Sequence, residues 1–149
     1  MESCFQTLNW EISSMKYAMY QEIKDQPISL RRTIESEKRH MEYISKEFLN
    51  LDKIFLIGCG SSISTCYTIR DAIKSLSDIN IDVQTGFDFT DHQYLVKDSN
   101  MGVILTSQSG ETSDTLSALR KAKEYNLKTV AITNVSDSSM AKEADDAII

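Results

Sequence analysis

The sequence contains few of the residues that interrupt regular structure. Among its 149 residues there are five glycines and one proline. Disordered and linker segments are rich in both residues, so little of this chain is expected to be linker. Hydrophobic residues make up 41% and charged residues 26%, which are ordinary values for a globular protein. The length fits one domain with a core large enough to fold alone.

Cysteines and long apolar runs are also scarce. Cys4, Cys59 and Cys66 form an odd set without a C-x-x-C pair, which argues against a disulfide framework and a zinc site. No apolar run approaches the ~20 residues of a membrane span, and residues 1–14 lack the basic and apolar regions of a signal peptide. We therefore expect a cytoplasmic protein that does not enter the membrane and carries neither metal nor cofactor.

An excess of basic residues is missing as well. The formal net charge is -6 and the sequence pI is near 4.9. Nucleic-acid binding depends on a basic footprint, so this charge argues against a nucleic-acid partner. A small anionic ligand stays compatible with it, because backbone dipoles at helix N-termini hold anions despite an adverse net charge.

Apolar runs alternate with helical patterns from residue 51 onward. KIFLIG (53–58) is typical of a parallel strand buried on both faces. This alternation predicts an α/β fold, a doubly wound parallel sheet with right-handed crossovers. The predicted strands are 53–58, 81–85, 101–106, 127–133 and 146–149, and the predicted helices are 63–76, 112–125 and 138–143, with 86–100 irregular or including a short helix.

Residues 1–50 are predicted to form a separate N-terminal helical segment ahead of a domain at 51–149. One helix is expected at 15–24, ending before Pro27, because the residue before a proline disfavours the α conformation. A second is expected at 29–49, with Ser29 as its N-cap. The last predicted strand, DAII, runs to the final residue without a polar tail, so we expect a piece of a longer protein or a chain shortened by an early stop.

Two segments combine glycines with small polar side chains at the carboxyl ends of predicted strands. The first loop, residues 58–62, reads GCGSS, and the second loop, residues 107–112, reads SQSGET. Each opens a predicted helix, whose free N–H groups and dipole favour an anion. Neither contains Lys or Arg, which suits a phosphate monoester held by neutral donors. The alternative is that these hydroxyls cap helices and the glycines form turns.

Two better-known phosphate motifs are absent. A dinucleotide fingerprint needs G-x-G-x-x-G, but its third glycine position is Ile63, and Gln84 and Thr85 stand where an acidic residue would close the second strand. A P-loop needs G-K-[ST] after its glycines, and the chain has none. Glu111 is a further question, because a carboxylate beside an anion repels it. It either points away from the anion and satisfies backbone N–H groups at the start of the helix that this loop opens, or transfers a proton.

GCGSS and TSQSGETSDTL, each following a strand, resemble the phosphate loops of the sugar isomerase (SIS) domain family. The resemblance is closest to the first isomerase domain of the isomerising glutamine–fructose-6-phosphate aminotransferases and their stand-alone relatives without a glutaminase domain. MYQEIKDQP (19–27), DVQTGFDF (82–89) and NVSDSSMAKEAD (134–145) are similar to other segments of that region, so the resemblance runs from about residue 16 to the end.

The resemblance implies a flavodoxin-like sheet and a site for a sugar 6-phosphate. The implied phosphate-binding residues are Cys59, Gly60, Ser61, Ser62, Ser107, Gln108, Ser109 and Thr112. It also implies that the chain lacks the family's catalytic glutamate, histidine and lysine, which would lie beyond residue 149, together with the second SIS domain and the glutaminase half. Whether the chain is itself an enzyme is therefore left open.

Three functions follow from these expectations. The first is the sugar-phosphate-binding domain of an amino-sugar-phosphate isomerase, aminotransferase or deaminase, acting on a substrate of the fructose 6-phosphate or glucosamine 6-phosphate type. The second is a regulatory module that senses a sugar phosphate without catalysis. The third is a chain that completes its site with a partner, either a second copy of itself or a complementing second SIS domain.

Overall fold

The computed structural model describes the backbone of residues 2–149 and the side chains of residues 19–149. The chain divides into two compact units, Met1–Lys38 and Arg39–Ile149. The first unit is helical, and the second contains the whole sheet. The predicted boundary between an N-terminal segment and the domain, at residues 50 and 51, stays a prediction.

The N-terminal region forms one helix, α1 (Glu2–Phe48), with Pro27 inside it. The prediction of two helices separated at Pro27, with Ser29 capping the second, is therefore wrong. A proline in a helix removes one hydrogen bond and costs ~3 kcal/mol, which is a local cost. The flanking residues form helix well and no glycine precedes Gly58, so the hydrogen bonds on both sides outweigh the preference of the residue before proline.

The remaining elements alternate as the sequence predicts. Strands and helices follow one another without exception from Lys53 to Ile148. The elements are β1 (Lys53–Gly58), α2 (Ser61–Leu76), β2 (Ile81–Thr85), α3 (Gly86–Asp91), β3 (Met101–Thr106), α4 (Ser113–Glu124), β4 (Lys128–Ile132), α5 (Ser139–Glu143) and β5 (Asp146–Ile148). Each predicted boundary agrees within a few residues.

The five strands form one sheet in the order β2-β1-β3-β4-β5, and all neighbouring pairs are parallel. This order and its helical crossovers confirm the predicted doubly wound α/β fold. The order also reverses between β1 and β3, because the chain leaves β1 toward β2 at one edge and leaves β3 toward β4 and β5 at the other.

The sheet separates two apolar clusters. On β1, Phe55 and Ile57 belong to one cluster, whereas Ile54 and Leu56 belong to the other. Successive side chains of a strand point to opposite faces, so this alternation is the mark of a strand covered on both sides. The first cluster includes residues of α3, α4 and α5, and the second includes residues of α2 and the end of α1.

The short edge strand β5 is joined to β4 through Asp145. Its Oδ2 accepts hydrogen bonds from Thr129 N at 2.9 Å and Thr129 Oγ1 at 2.8 Å, and its own N–H donates to Thr129 Oγ1 at 3.0 Å. Lys123 Nζ donates to the other carboxylate oxygen. Partial burial raises the pKa of Asp145, but the hydrogen bonds from Lys123 and Thr129 outweigh it and lower the pKa overall.

We expect Asp145→Asn to lower the free energy of unfolding at pH 7 by roughly 1–2 kcal/mol, since buried Thr129 loses a charged acceptor. The folded-state pKa of Asp145 lies below the unfolded value of ~3.9. Its contribution is therefore present above about pH 4 and lost as the pH falls through the folded-state pKa. Urea unfolding from pH 7 to pH 3 should show the gap between wild type and variant closing in acid, while the exposed Asp78→Asn control shows no gap.

Candidate functional site

The two polar loops meet where the strand order reverses. β1 ends at Gly58 and β3 at Thr106, and these two residues are register partners in adjacent strands. Loops at the carboxyl ends of parallel strands lie on one edge of the sheet, and ligands of open α/β sheets bind at such a reversal. The first and second loops therefore open on the same edge, side by side.

One open cavity of about 290 Å³ lies between the loops. Its lining contains all eight residues that the sequence predicts for the phosphate site, together with Thr106. Thr106 was missed because it belongs to the apolar strand pattern of β3. The signal that could have found it is its place as a hydroxyl residue directly before Ser107, at the carboxyl end of the strand. The lining residues are Cys59, Gly60, Ser61, Ser62, Thr106, Ser107, Gln108, Ser109 and Thr112.

The capping alternative can be compared among four helices. At the starts of α3 and α5, the side chains of Thr85 and Ser138 accept the expected hydrogen bonds from backbone N–H groups. At α2 and α4, the N-cap residues are Gly60 and Thr112, and neither makes a side-chain capping hydrogen bond. The helices that open at the cavity therefore lack the side-chain caps that satisfy the other two.

The second loop is held by its own hydroxyl groups. Ser107 is buried, and its Oγ accepts a hydrogen bond from Gly110 N at 3.2 Å and lies 2.9 Å from Thr112 Oγ1. Ser109 is exposed, and its Oγ accepts from Glu111 N at 3.2 Å. Ser109 Oγ already accepts from a backbone N–H group, so its hydroxyl proton is available to an acceptor in the cavity. Ser107 Oγ and Thr112 Oγ1 share one hydrogen bond, so one of these two hydroxyls keeps its proton for such an acceptor.

The first loop brings its backbone close to the cavity. Gly60 has φ 57° and ψ -125°, a conformation that favours glycine. Ser62 N donates to Cys59 O at 3.1 Å, which closes the turn into α2. Gly58 packs so tightly that a Cβ there would lie 2.7 Å from Ile63 N. The side chain of Cys59 is exposed at this turn.

The cavity has no cationic side chain in its lining. Glu111, the candidate for proton transfer, is not part of the lining and its Oε1 accepts a hydrogen bond from Ser139 N at 2.6 Å. Hydrogen bonds from Ser139 lower the pKa of the Glu111 carboxyl. Its carboxylate is thus hydrogen-bonded at the start of α5, and not at the start of α4, the helix that the second loop opens.

The described side chains contain no group of three or more His, Cys, Asp and Glu residues that could hold a metal ion. Within the same part of the chain, no helix carries an apolar segment of membrane-spanning length. Cys59 and Cys66 are free cysteines, and burial raises the pKa of the Cys66 thiol against opposing hydrogen bonds from Thr106 and the backbone. The side chain of Cys4 lies outside the described residues.

Residues 47–149, which include both loops and the whole sheet, match the SIS domain family. The chain belongs to the SIS domain family. This confirms the resemblance on which the site residues were predicted.

The relatives in sequence are longer proteins. The isomerising glutamine–fructose-6-phosphate aminotransferase of Clostridium acetobutylicum is 33% identical over 146 residues, covering 93% of this chain and 24% of that protein. The same enzyme of Buchnera aphidicola is 36% identical over 140 residues, covering 87% and 23%. This SIS chain therefore spans about a quarter of the length of these relatives.

Solved structures agree with the fold. The C-terminal domain of glucosamine-fructose-6-phosphate aminotransferase from Francisella tularensis superposes with a TM-score of 0.73 at 29% identity, covering 88% of this chain and 38% of that chain. Glucosamine-6-phosphate deaminase from Thermotoga maritima superposes with a TM-score of 0.61 at 22% identity, covering 80% and 39%. The second likeness shows the shared fold alone. The SIS chain is thus related to domains of isomerising aminotransferases.

Proposed function

We propose that the cavity between the two loops binds the phosphate group of a sugar phosphate of the fructose 6-phosphate or glucosamine 6-phosphate type. The observation that carries this proposal is the convergence of eight predicted donor residues, from two helix starts without side-chain caps, on one cavity. The names of the relatives, glutamine–fructose-6-phosphate aminotransferase and glucosamine-fructose-6-phosphate aminotransferase, support the choice of sugar.

Neutral donors are sufficient to bind the anion. A hydrogen bond to a charged partner contributes roughly 1.5–3 kcal/mol, so several converging donors outweigh the adverse charge of -6 on the whole chain. The helix dipoles of α2 and α4 add a fixed positive potential at the same place. The cavity volume of about 290 Å³ lies near the lower end of the range for small-molecule sites.

In this function the phosphate group anchors the sugar, and the reaction takes place at another carbon. Binding energy from a part of the substrate that does not react orients the carbon that does react. Since the carboxylate of Glu111 accepts a hydrogen bond from Ser139 N, we assign no proton transfer to it. We propose instead that the residues acting on the reacting carbon belong to a partner, which is either a complementing second SIS domain or a second copy of this chain.

Calorimetric and thermal-shift titrations with fructose 6-phosphate, glucosamine 6-phosphate, inorganic phosphate and unphosphorylated fructose test the proposal. A ligand at ~100 times its Kd should add roughly 2.7 kcal/mol of stability, equivalent to about 5–10 °C in Tm for a chain of this length. The three phosphate-containing ligands should bind and fructose should not. Equal responses to fructose and fructose 6-phosphate would contradict a site built for the phosphate group.

Thiol labelling locates the bound ligand on the chain. In a Cys4→Ser background, iodoacetamide should modify the exposed Cys59 and leave the buried Cys66 unmodified. Saturating fructose 6-phosphate should slow the modification of Cys59, because the ligand covers the first loop. Binding without any protection of Cys59 would place the sugar phosphate at another site.

A further inference from the structure

The second loop is held from outside by the segment between β4 and α5 and by the first residues of α5. Gln108 O accepts hydrogen bonds from Asn134 N and from Thr133 Oγ1, both at 3.1 Å. Gly110 O accepts from Met140 N at 3.1 Å. These contacts use backbone carbonyls of the loop, which any sequence could supply. The contact between Glu111 Oε1 and Ser139 N differs, because it uses a side chain of the loop.

The negative charge of Glu111 is unfavourable for binding the proposed anionic ligand. A carboxylate directly beside Thr112, which lines the cavity, lowers the affinity for an anion through charge repulsion. A residue of this charge is expected here only if its contact contributes something that a neutral apolar residue would not. The carboxylate accepts from Ser139 N at 2.6 Å, the short distance of a charge-assisted hydrogen bond.

The position of residue 111 also determines the orientation of a donor in the site. Its N–H donates to Ser109 Oγ, so a lone pair of that hydroxyl is occupied and its proton is directed elsewhere. Thr112, the next residue, places its Oγ1 beside Ser107 Oγ. A shift of the backbone at Glu111 would therefore move two of the hydroxyls that line the cavity.

We propose that Glu111 is a positioning residue: its hydrogen bond to Ser139 N–H fixes the second loop so that Ser109 and Thr112 donate to one phosphate. This role depends on the proposed phosphate site and adds to it a residue that does not touch the ligand. It also assigns the start of α5 a part in binding through Glu111, although α5 contributes no residue to the cavity lining.

Positioning and charge make opposite predictions for Glu111→Ala. If the carboxylate acted through its charge alone, its removal would strengthen phosphate binding. If it acts by positioning the loop, its removal weakens binding, and we expect the Kd for inorganic phosphate to rise at least fivefold. Glu111→Gln keeps an oxygen that accepts from Ser139 N, so its Kd should stay within twofold of wild type.

Ser139→Pro removes the donor and leaves Glu111 unchanged. Ser139 is the first residue of α5, a position where proline is well tolerated, and Ser138 before it has φ -65° and ψ 158°, which a following proline accepts. We expect the same loss of affinity as for Glu111→Ala. The double variant should bind no more weakly than either single variant, since both substitutions break the same contact between Glu111 and Ser139.

The measurement is the Kd for inorganic phosphate by calorimetry on the full chain, with the Tm of each ligand-free variant as the check on folding. Glu124→Ala is the control, because it removes an equal charge from an exposed position at the far end of α4, and its Kd should not change. Affinities of Glu111→Ala and Ser139→Pro equal to or tighter than wild type would overturn the positioning role while leaving the phosphate site intact. No binding by wild type would overturn both the site and this role.

Discussion

Gly110→Ala is expected to lower the free energy of unfolding by about 2–4 kcal/mol and to abolish measurable phosphate binding. Gly110 has φ 66°, where a side chain is strained. An added Cβ would lie 2.2 Å from Ser138 Oγ and 2.9 Å from Thr133 Oγ1, so the second loop would have to move away from the segment before α5. Urea unfolding and calorimetric titration with phosphate measure the two effects.

Gly60→Ala is the matched control for this variant. Gly60 also has a positive φ, of 57°, but a Cβ there would meet no atom within 4 Å. Its cost is therefore backbone strain alone, about 1–3 kcal/mol. The difference between the free energies of unfolding lost in the two variants measures the cost of the close contact between the new Cβ at residue 110 and Ser138. Equal costs would show that this contact is absent in solution.

A second substitution tests the same contact by removing the side chain that the new Cβ would meet. Ser138→Gly removes the two nearest side-chain atoms that the new Cβ would meet and leaves Thr133 Oγ1 at 2.9 Å. Glycine at an N-cap costs only a few tenths of a kcal/mol. Combined with Gly110→Ala, it should restore part of the lost stability and leave the strain of the positive φ. A double variant less stable than Gly110→Ala would place the clash elsewhere.

The strands and the candidate site were predictable from local sequence. The apolar runs at 53–58 and 101–106 are strands with the predicted bounds. The two loops could be placed at one edge before the sheet order was known, because carboxyl ends of parallel strands share an edge. All eight residues that the resemblance implies line the cavity, and most of them are the glycine and hydroxyl residues that follow the buried strands.

Other features could not be predicted because they depend on residues distant in the chain. The contacts of the second loop with Thr133, Ser138 and Ser139 join residues 25–28 positions apart, and no local pattern announces them. The use of hydroxyls as caps was likewise ambiguous in sequence. Only the structure separates Ser138, whose side chain accepts a capping hydrogen bond in α5, from Thr112, whose side chain makes none in α4. At Pro27 the prediction relied on the local rule that a helix ends before a proline. In the structure, the hydrogen bonds of the long helix α1 keep the residues on both sides of Pro27 helical.

Ser107→Ala and Ser109→Ala are expected to separate stability from affinity within the second loop. Ser107 Oγ is buried and is the acceptor for Gly110 N, so its loss leaves a buried N–H unpaired and costs roughly 1–3 kcal/mol of stability. Ser109 is exposed, so its loss should change the free energy of unfolding by less than about 0.5 kcal/mol. Ser109→Ala also removes one donor to the phosphate and should weaken binding roughly ten- to a hundredfold. Ser107→Ala should weaken binding as well, because Thr112 loses the hydroxyl partner that orients it.

Ser113→Ala is the control, because Ser113 is exposed, follows Thr112 directly and does not line the cavity. Its stability and its Kd for phosphate should both match wild type. Urea unfolding and calorimetry on the three variants give the two quantities independently. If Ser109→Ala binds phosphate as tightly as Ser113→Ala does, the exposed hydroxyl of the second loop does not donate to the anion. The donor role of Ser109 would then be wrong, and the anion would have to be held by the other residues of the lining.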